Sequence, residues 1–119
     1  MAAIQIFGKL KCFDTKKALR FFKERGIAVH EVDILRKGLS AGEYRSVMSA
    51  VGGDMNTLID VSSKAYQKHH IAYLASAQAV EDKLFDYPEL YKTPIVRNGR
   101  RATVGYAPEV WKEWLREDS

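Results

Sequence analysis

Residues 3–34, AIQIFGKLKCFDTKKALRFFKERGIAVHEVDI, place two short apolar stretches on either side of a segment with a different period. Ala3 to Phe7 is an apolar run interrupted by Gln5, and Ile27 to Ile34 mixes Val, Ile and His with alternating charge, so both read as strands. Between them Ala18, Leu19 and Phe22 recur at helical spacing. Asp14 or Thr15 can cap the start of this helix, Lys23 and Arg25 suit its last turn, and Gly26 fits the position just beyond its end. The stretch is expected to form a β-α-β unit with parallel strands.

Working outward, LSAGEYRSVMSAVGG (39–53) carries a capping box of Ser40 with Glu43, then Tyr44, Val47, Met48 and Val51 on one face and a glycine stop at Gly52-Gly53. From Met55 to Tyr91 the apolar signal comes in short clusters (Leu58-Ile59, Tyr66 and Ile71, then Val80, Leu84 and Phe85 after Ser76), with Pro88 bounding the last. These read as several short helices. TPIVRNGRRATVG (93–105) reads as two antiparallel strands around Asn98-Gly99, the dipeptide suited to a type I′ hairpin. Pro108 at a first helical position, followed by Val110, Trp111, Trp114 and Leu115, gives a closing amphipathic helix. A βαβ half and a ββα half sharing one mixed four-stranded sheet is the α/β, thioredoxin-like arrangement. Here a helical insertion over about residues 39–91 separates the halves, and one domain over 1–119 is expected.

Composition limits the function classes. The 119 residues are 46% hydrophobic, enough for one ordinary core. No run of about 18 apolar residues is present to cross a bilayer, and MAAIQIFGKL lacks the basic start and long apolar run of a signal peptide, so a cytoplasmic protein without membrane association is expected. The 19 Lys+Arg exceed the 15 Asp+Glu, but they alternate with acids and do not form a block, which argues against direct nucleic-acid binding. A single cysteine excludes an internal disulfide, and one Cys with three scattered His offers no paired spacing for a metal.

That cysteine, Cys12, falls between the first strand and the first helix. A helix N-terminus supplies unpaired N–H donors and partial positive charge, and Lys9, Lys11, Lys16 and Lys17 add a positive field; both favour the thiolate. The Thr15 hydroxyl, three residues on, is placed to donate to the sulfur. The opposing reading is a buried inert thiol, the common fate of a cytosolic cysteine. Thr93-Pro94 opens the hairpin facing this loop; pattern alone favours a trans bond there. Arg97, Arg100 and Arg101 around the hairpin turn can bind an anion or simply keep a sheet edge soluble. His69-His70 reads as a solvated pair, and Trp111 with Trp114 as core.

Taken together, KCFDTKKALRFFKERGI, SSKAYQK, TPIV and VGYAPEVWKEWL resemble the ArsC/Spx family: glutaredoxin-class arsenate reductases and related redox-sensing transcription regulators. The resemblance spans nearly the whole chain. It implies a thioredoxin-like fold with a helical insertion, a nucleophilic cysteine at Cys12 and a cis-proline at Pro94, reversing the expectation from pattern. Where the reductases hold the oxyanion with three arginines, this chain has Asp60, Thr93 and Tyr106. Where the regulators carry a second cysteine three residues after the first, it has Thr15. The expected activity is one-cysteine thiol chemistry without a bound cofactor. Cys12 is the nucleophile, Lys11, Thr15, Thr93 and Pro94 surround the substrate, and the co-substrate is a low-molecular-weight thiol such as glutathione, or a protein disulfide. The alternative is a non-enzymatic regulator that binds RNA polymerase or another protein.

Overall fold

The computed structural model describes residues 3–117. Its single four-stranded sheet has the order β2-β1-β3-β4, built from β1 (Ile4–Gly8), β2 (Val29–Asp33), β3 (Ile95–Asn98) and β4 (Arg101–Val104). β1 runs parallel to β2 and antiparallel to β3, and β3 runs antiparallel to β4. This is the mixed sheet expected from the two halves. β1 is central and covered on both faces, which is why Ile6 and Phe7 are consecutive in sequence and both buried.

The two faces carry separate cores. Ile4, Ile6 and Val96 pack under α1 (Phe13–Glu24) and α6 (Pro108–Glu117) with Ala18, Phe22, Trp111 and Trp114. The Trp111 ring lies 5.3 Å from both Phe21 and Phe22, and its indole N–H donates to the Thr103 hydroxyl at 2.8 Å. Phe7 and Ile95 face the other way, into a core closed by α3 (Ala41–Ala50), α4 (Lys64–Lys68), α5 (Ala77–Asp86) and 3-10 turns at Met55–Leu58, Ile71–Tyr73 and Pro88–Leu90. Ser40 and Glu43 form the capping box, and Ser63 and Ser76 cap α4 and α5 through their hydroxyls.

Several local expectations are corrected. The second strand is shorter than residues 27–34, because Asp33 caps a single-turn helix, α2 (Ile34–Lys37), by accepting from the Leu35 N–H. Asn98 pairs with Arg101 as the last strand residue and is buried, so the hairpin loop is Gly99-Arg100. With Gly99 at φ 61 and Arg100 outside the left-handed region, the turn follows the II′ pattern, glycine first, rather than I′. Val110 is 43% exposed, so the buried stripe of α6 is carried by its two tryptophans. No described helix is long and apolar enough to cross a membrane.

Candidate functional site

The chain leaves β1 at Gly8 and turns at once. The Cys12 N–H donates to the Lys9 carbonyl at 3.0 Å, and the Cys12 carbonyl accepts from Lys16 N–H at 3.2 Å as the first rung of α1. Cys12 is therefore the N-cap residue itself, in extended conformation at φ −87 and ψ 118, and its side chain makes no cap bond. Neither Asp14 nor Thr15 caps the helix. The tight turn brings the chain into helical geometry two residues earlier than an Asp14 cap and three earlier than a Thr15 cap would, and this puts the sulfur beside the open donors of the first turn.

Thr15 turns inward. It is buried, and its hydroxyl accepts from the Lys9 N–H at 3.4 Å while lying under Gly8. A Cβ on Gly8 would stand 2.2 Å from Thr15 Cγ2, so only glycine permits this approach of strand and helix. Opposite lies the segment entering β3: the Thr93–Pro94 peptide is cis, and the Thr93 carbonyl is 3.7 Å from Cys12 Sγ. Pro94 is locked in turn by its carbonyl, which accepts from Gly105 N–H at 2.8 Å. Cys12, Thr15, Thr93 and Pro94, separated by some eighty residues in sequence, thus meet at one end of the sheet. The structure does not bring Lys11 into this group. Its side chain is exposed.

Cys12 is half-buried, and burial pushes its thiol pKa up; the donor groups around it, the Thr15 and Thr93 hydroxyls and the Thr15 and Asp14 N–H groups, favour the thiolate, outweigh burial and set it below the ordinary value. Nearby hydrogen-bond donors carry the shift, where the sequence suggested the lysine field. Alkylation of Cys12 by iodoacetamide is expected to titrate below the roughly 8.5 of a free cysteine. Thr15→Val keeps the shape and removes the hydroxyl, so it should move that midpoint upward and slow alkylation at neutral pH severalfold. With the folded pKa depressed, ionisation adds stability above the unfolded pKa that is lost as pH falls through the folded one, a contribution absent in Cys12→Ser.

Lys9, not Lys11, is the lysine built into the site. Its ammonium donates to the carbonyls of Glu89 at 3.0 Å and Tyr91 at 2.8 Å, tying the cysteine loop to the segment that leads into Pro94. Burial lowers its pKa against the attraction of Asp60, Cys12 and Glu89. Lys9→Met keeps the stem and loses both bonds, and should cost about 1 to 2 kcal/mol in urea unfolding, whereas Lys11→Ala should be close to neutral. Equal stability of the two variants would show that the tie contributes nothing. Sequence reasoning assigned Lys9 only to a diffuse field, because its partners lie eighty and eighty-two residues away.

The hairpin arginines are elsewhere. Cys12 follows the C-terminal end of β1, while antiparallel pairing puts Asn98 opposite Ile4, so the hairpin turn lies at the far end of the sheet. Arg97 bonds Gln5 Oε1 at 2.9 Å and Ser46 Oγ at 3.2 Å, and Arg101 pairs with Glu117. At two of the positions that the family resemblance matches to oxyanion arginines, the Asp60 carboxylate accepts from the Ser62 N–H and hydroxyl at 3.0 and 2.6 Å, and Tyr106 sits with Lys17 5.4 Å from its ring centre. His69 stacks on Tyr87 at 3.8 Å, and no group of three metal-ligating side chains occurs among the described residues.

A βαβ unit and a ββα unit in one sheet, with a cysteine at the head of the first helix facing a cis-proline, define a thioredoxin-like protein with a helical insertion. The chain belongs to the ArsC family, whose sequence profile matches residues 7–114. It is 27% identical over 113 residues to Global transcriptional regulator Spx 2 of Oceanobacillus iheyensis, covering 94% of this chain and 83% of that protein. It is 24% identical to Global transcriptional regulator Spx of Staphylococcus aureus, covering 94% and 86%. Among solved structures, arsenate reductase from Vibrio cholerae superposes with a TM-score of 0.82 at 21% identity, covering 94% of this chain and 97% of that one. An arsenate reductase (ArsC) related protein from Brucella melitensis gives 0.68 at 19% identity, covering 96% and 95%. The structural likenesses establish the fold.

Proposed function

We propose that the protein carries out one-cysteine thiol–disulfide exchange. The Cys12 thiolate attacks one sulfur of glutathione disulfide, or of a protein disulfide; a new S–S bond forms as the old one breaks, and the other half leaves as a thiolate. The chain has no second cysteine, so an external thiol must attack the mixed disulfide and free Cys12. Thr15, Thr93 and the first-turn amides stabilise the sulfur, and Pro94 shapes the face on which the substrate lies. The carrying observation is the sulfur's position. It stands among four hydrogen-bond groups that together depress its pKa, at a helix start facing the Thr93–Pro94 segment. No bound cofactor is required, and the co-substrate is a thiol compound such as glutathione.

Incubation with oxidised glutathione followed by mass spectrometry tests this: one glutathionyl adduct on the parent chain and none on Cys12→Ser is expected. A parent chain that stays unmodified while iodoacetamide labels it would refute the exchange reading. The likeness to proteins named as global transcriptional regulators Spx is equally compatible with a second reading, a non-enzymatic regulator, for which we propose RNA polymerase as the partner. With Thr15 in the second-cysteine position, such a role would operate without an internal disulfide switch. Capture of RNA polymerase by purified Cys12→Ser protein as well as by the parent would support it.

A further inference from the structure

The chain that leads into Pro94 is held from two sides. On one side the Leu90 carbonyl accepts from Asp60 N–H at 2.8 Å, Lys92 N–H donates to the Leu58 carbonyl at 2.7 Å, and Ile59 bridges to Tyr91, which joins it to the insertion. On the other side the carbonyls of Glu89 and Tyr91 turn to the Lys9 ammonium, which donates to them at 3.0 and 2.8 Å. Lys9 is itself fixed to the loop that carries the sulfur. Its carbonyl accepts from Cys12 N–H at 3.0 Å, and its N–H donates to the Thr15 hydroxyl at 3.4 Å. The sheet cannot make this connection. Pairing of β1 with β3 ends at Phe7 opposite Ile95, and the next residue on the β3 side is Pro94, which has no N–H to continue the ladder. The ammonium takes over where the ladder stops, with the cysteine loop on one side of it and residues 89–92 on the other.

We propose that Lys9 is a positioning residue for the thiol reaction: bonded to the cysteine loop through its backbone and to Glu89 and Tyr91 through its ammonium, it sets the place of Thr93 and Pro94 relative to Cys12 Sγ. The proposal rests on the exchange reading above and adds the residue that regulates its geometry. Thr93 follows Tyr91 by two residues, its carbonyl is 3.7 Å from Sγ, and its hydroxyl favours the thiolate. A disulfide that reacts with Cys12 must lie against this segment while its sulfur comes within about 3.5 Å of Sγ, in line with the bond that breaks. A misplacement of about 1 Å can cost on the order of a hundredfold in rate. Iodoacetamide is small and needs only the sulfur, so its reaction is insensitive to where the segment lies. The Lys9 charge also attracts the thiolate. A direct effect of that charge is the competing account, and it acts through the fraction of Cys12 ionised, not through Thr93 and Pro94.

The test compares the parent chain with Lys9→Met, which keeps the stem and loses both bonds, and Lys9→Arg, which keeps the charge and the donors. Iodoacetamide rates across pH give each thiol pKa and the limiting rate of its thiolate. Glutathionylation by oxidised glutathione, followed by mass spectrometry, is then divided by the thiolate fraction. Lys9→Met should keep the limiting alkylation rate within about twofold and lose about tenfold or more in glutathionylation per thiolate, and Lys9→Arg should recover most of the loss. Hydrogen exchange reads the segment itself. The amides of Asp60 and Lys92 should exchange about fivefold or more faster in Lys9→Met, beyond any change shared with the β1 amides. Glutathionylation per thiolate equal to the parent's, with only the pKa raised, would overturn the proposal in favour of the charge account and leave the exchange reading intact. Loss of glutathionylation with unchanged hydrogen exchange at Asp60 and Lys92 would overturn it too. If the parent is not glutathionylated, the exchange reading fails, and the Lys9 tie stands or falls with the acceleration at Asp60 and Lys92. Should Lys9→Met not fold, Lys9→Gln, neutral and one bond shorter, is measured in its place with the same expected losses.

Discussion

Gly8→Ala is expected to destabilise the protein by about 3 kcal/mol, seen as a lower urea midpoint with an unchanged slope, and to weaken the thiolate at Cys12 in the same step. The added methyl would lie 2.2 Å from Thr15 Cγ2 and 2.9 Å from its hydroxyl oxygen, closer than carbon atoms approach in folded proteins. Thr15 is β-branched and buried at the base of α1, so it has little rotamer freedom with which to yield. Either the helix start moves away from β1, or Thr15 swings and its hydroxyl leaves Lys9 N–H and Cys12. Both outcomes raise the Cys12 pKa, because the Thr15 side chain and N–H are among the bonds that lower it. The double variant Gly8→Ala with Thr15→Ser deletes the clashing methyl and keeps the hydroxyl, and should recover most of the lost stability. A Gly8→Ala protein as stable as its parent would show that β1 and α1 are loosely spaced, and the argument for a fixed thiolate site would fall with it.

The strands and the two long halves were legible because their periods differ: alternation and short apolar runs in 3–8 and 95–104, helical spacing in 13–24 and 108–117. Capping chemistry was legible at Ser40 and Ser76, where a hydroxyl precedes an apolar run; the Ser63 cap of α4 was not read from the sequence. It misled at the head of α1, where the start is set by a backbone turn from Lys9 to Cys12 and no side chain caps it. The hairpin misled for a related reason. Asn98-Gly99 is a strong turn signal locally, but burial of Asn98 in register with Ile4 extends β3 by one residue and shifts the loop to Gly99-Arg100. At the site, Cys12 and Thr15 announce themselves by spacing, and Thr93 and Pro94 through the family resemblance. Gly8 and Lys9 do not, since a close approach and two carbonyl contacts across eighty residues have no local signature. The glycine that ends the first strand was the one available hint.

Incubated with arsenate, glutathione and glutaredoxin, the purified protein is expected to show no turnover above the protein-free control, while oxidised glutathione still modifies Cys12. A divalent oxyanion must be drawn from water by several fixed donors, and charge-assisted arginine contacts are the strong ones. At the three matching positions the protein offers a carboxylate, a hydroxyl and a phenol. Asp60 repels the anion, and its engagement with the Ser62 N–H and hydroxyl holds it in place. Thr93 and Tyr106 can each donate one hydrogen bond without charge. Replacement by the hairpin arginines is ruled out by register: the turn lies beyond Asn98, paired with Ile4 at the end of β1 remote from Cys12, and Arg97 and Arg101 are engaged with Gln5, Ser46 and Glu117. The remaining cations near the thiol are Lys9, whose ammonium is already held by the Glu89 and Tyr91 carbonyls, and exposed lysines, which attract anions through solvent and do not fix their geometry. These lysines are therefore insufficient for arsenate. Arsenate turnover that disappears in Cys12→Ser would overturn this reading, and would place a donor set around the sulfur that Asp60, Thr93 and Tyr106 do not provide.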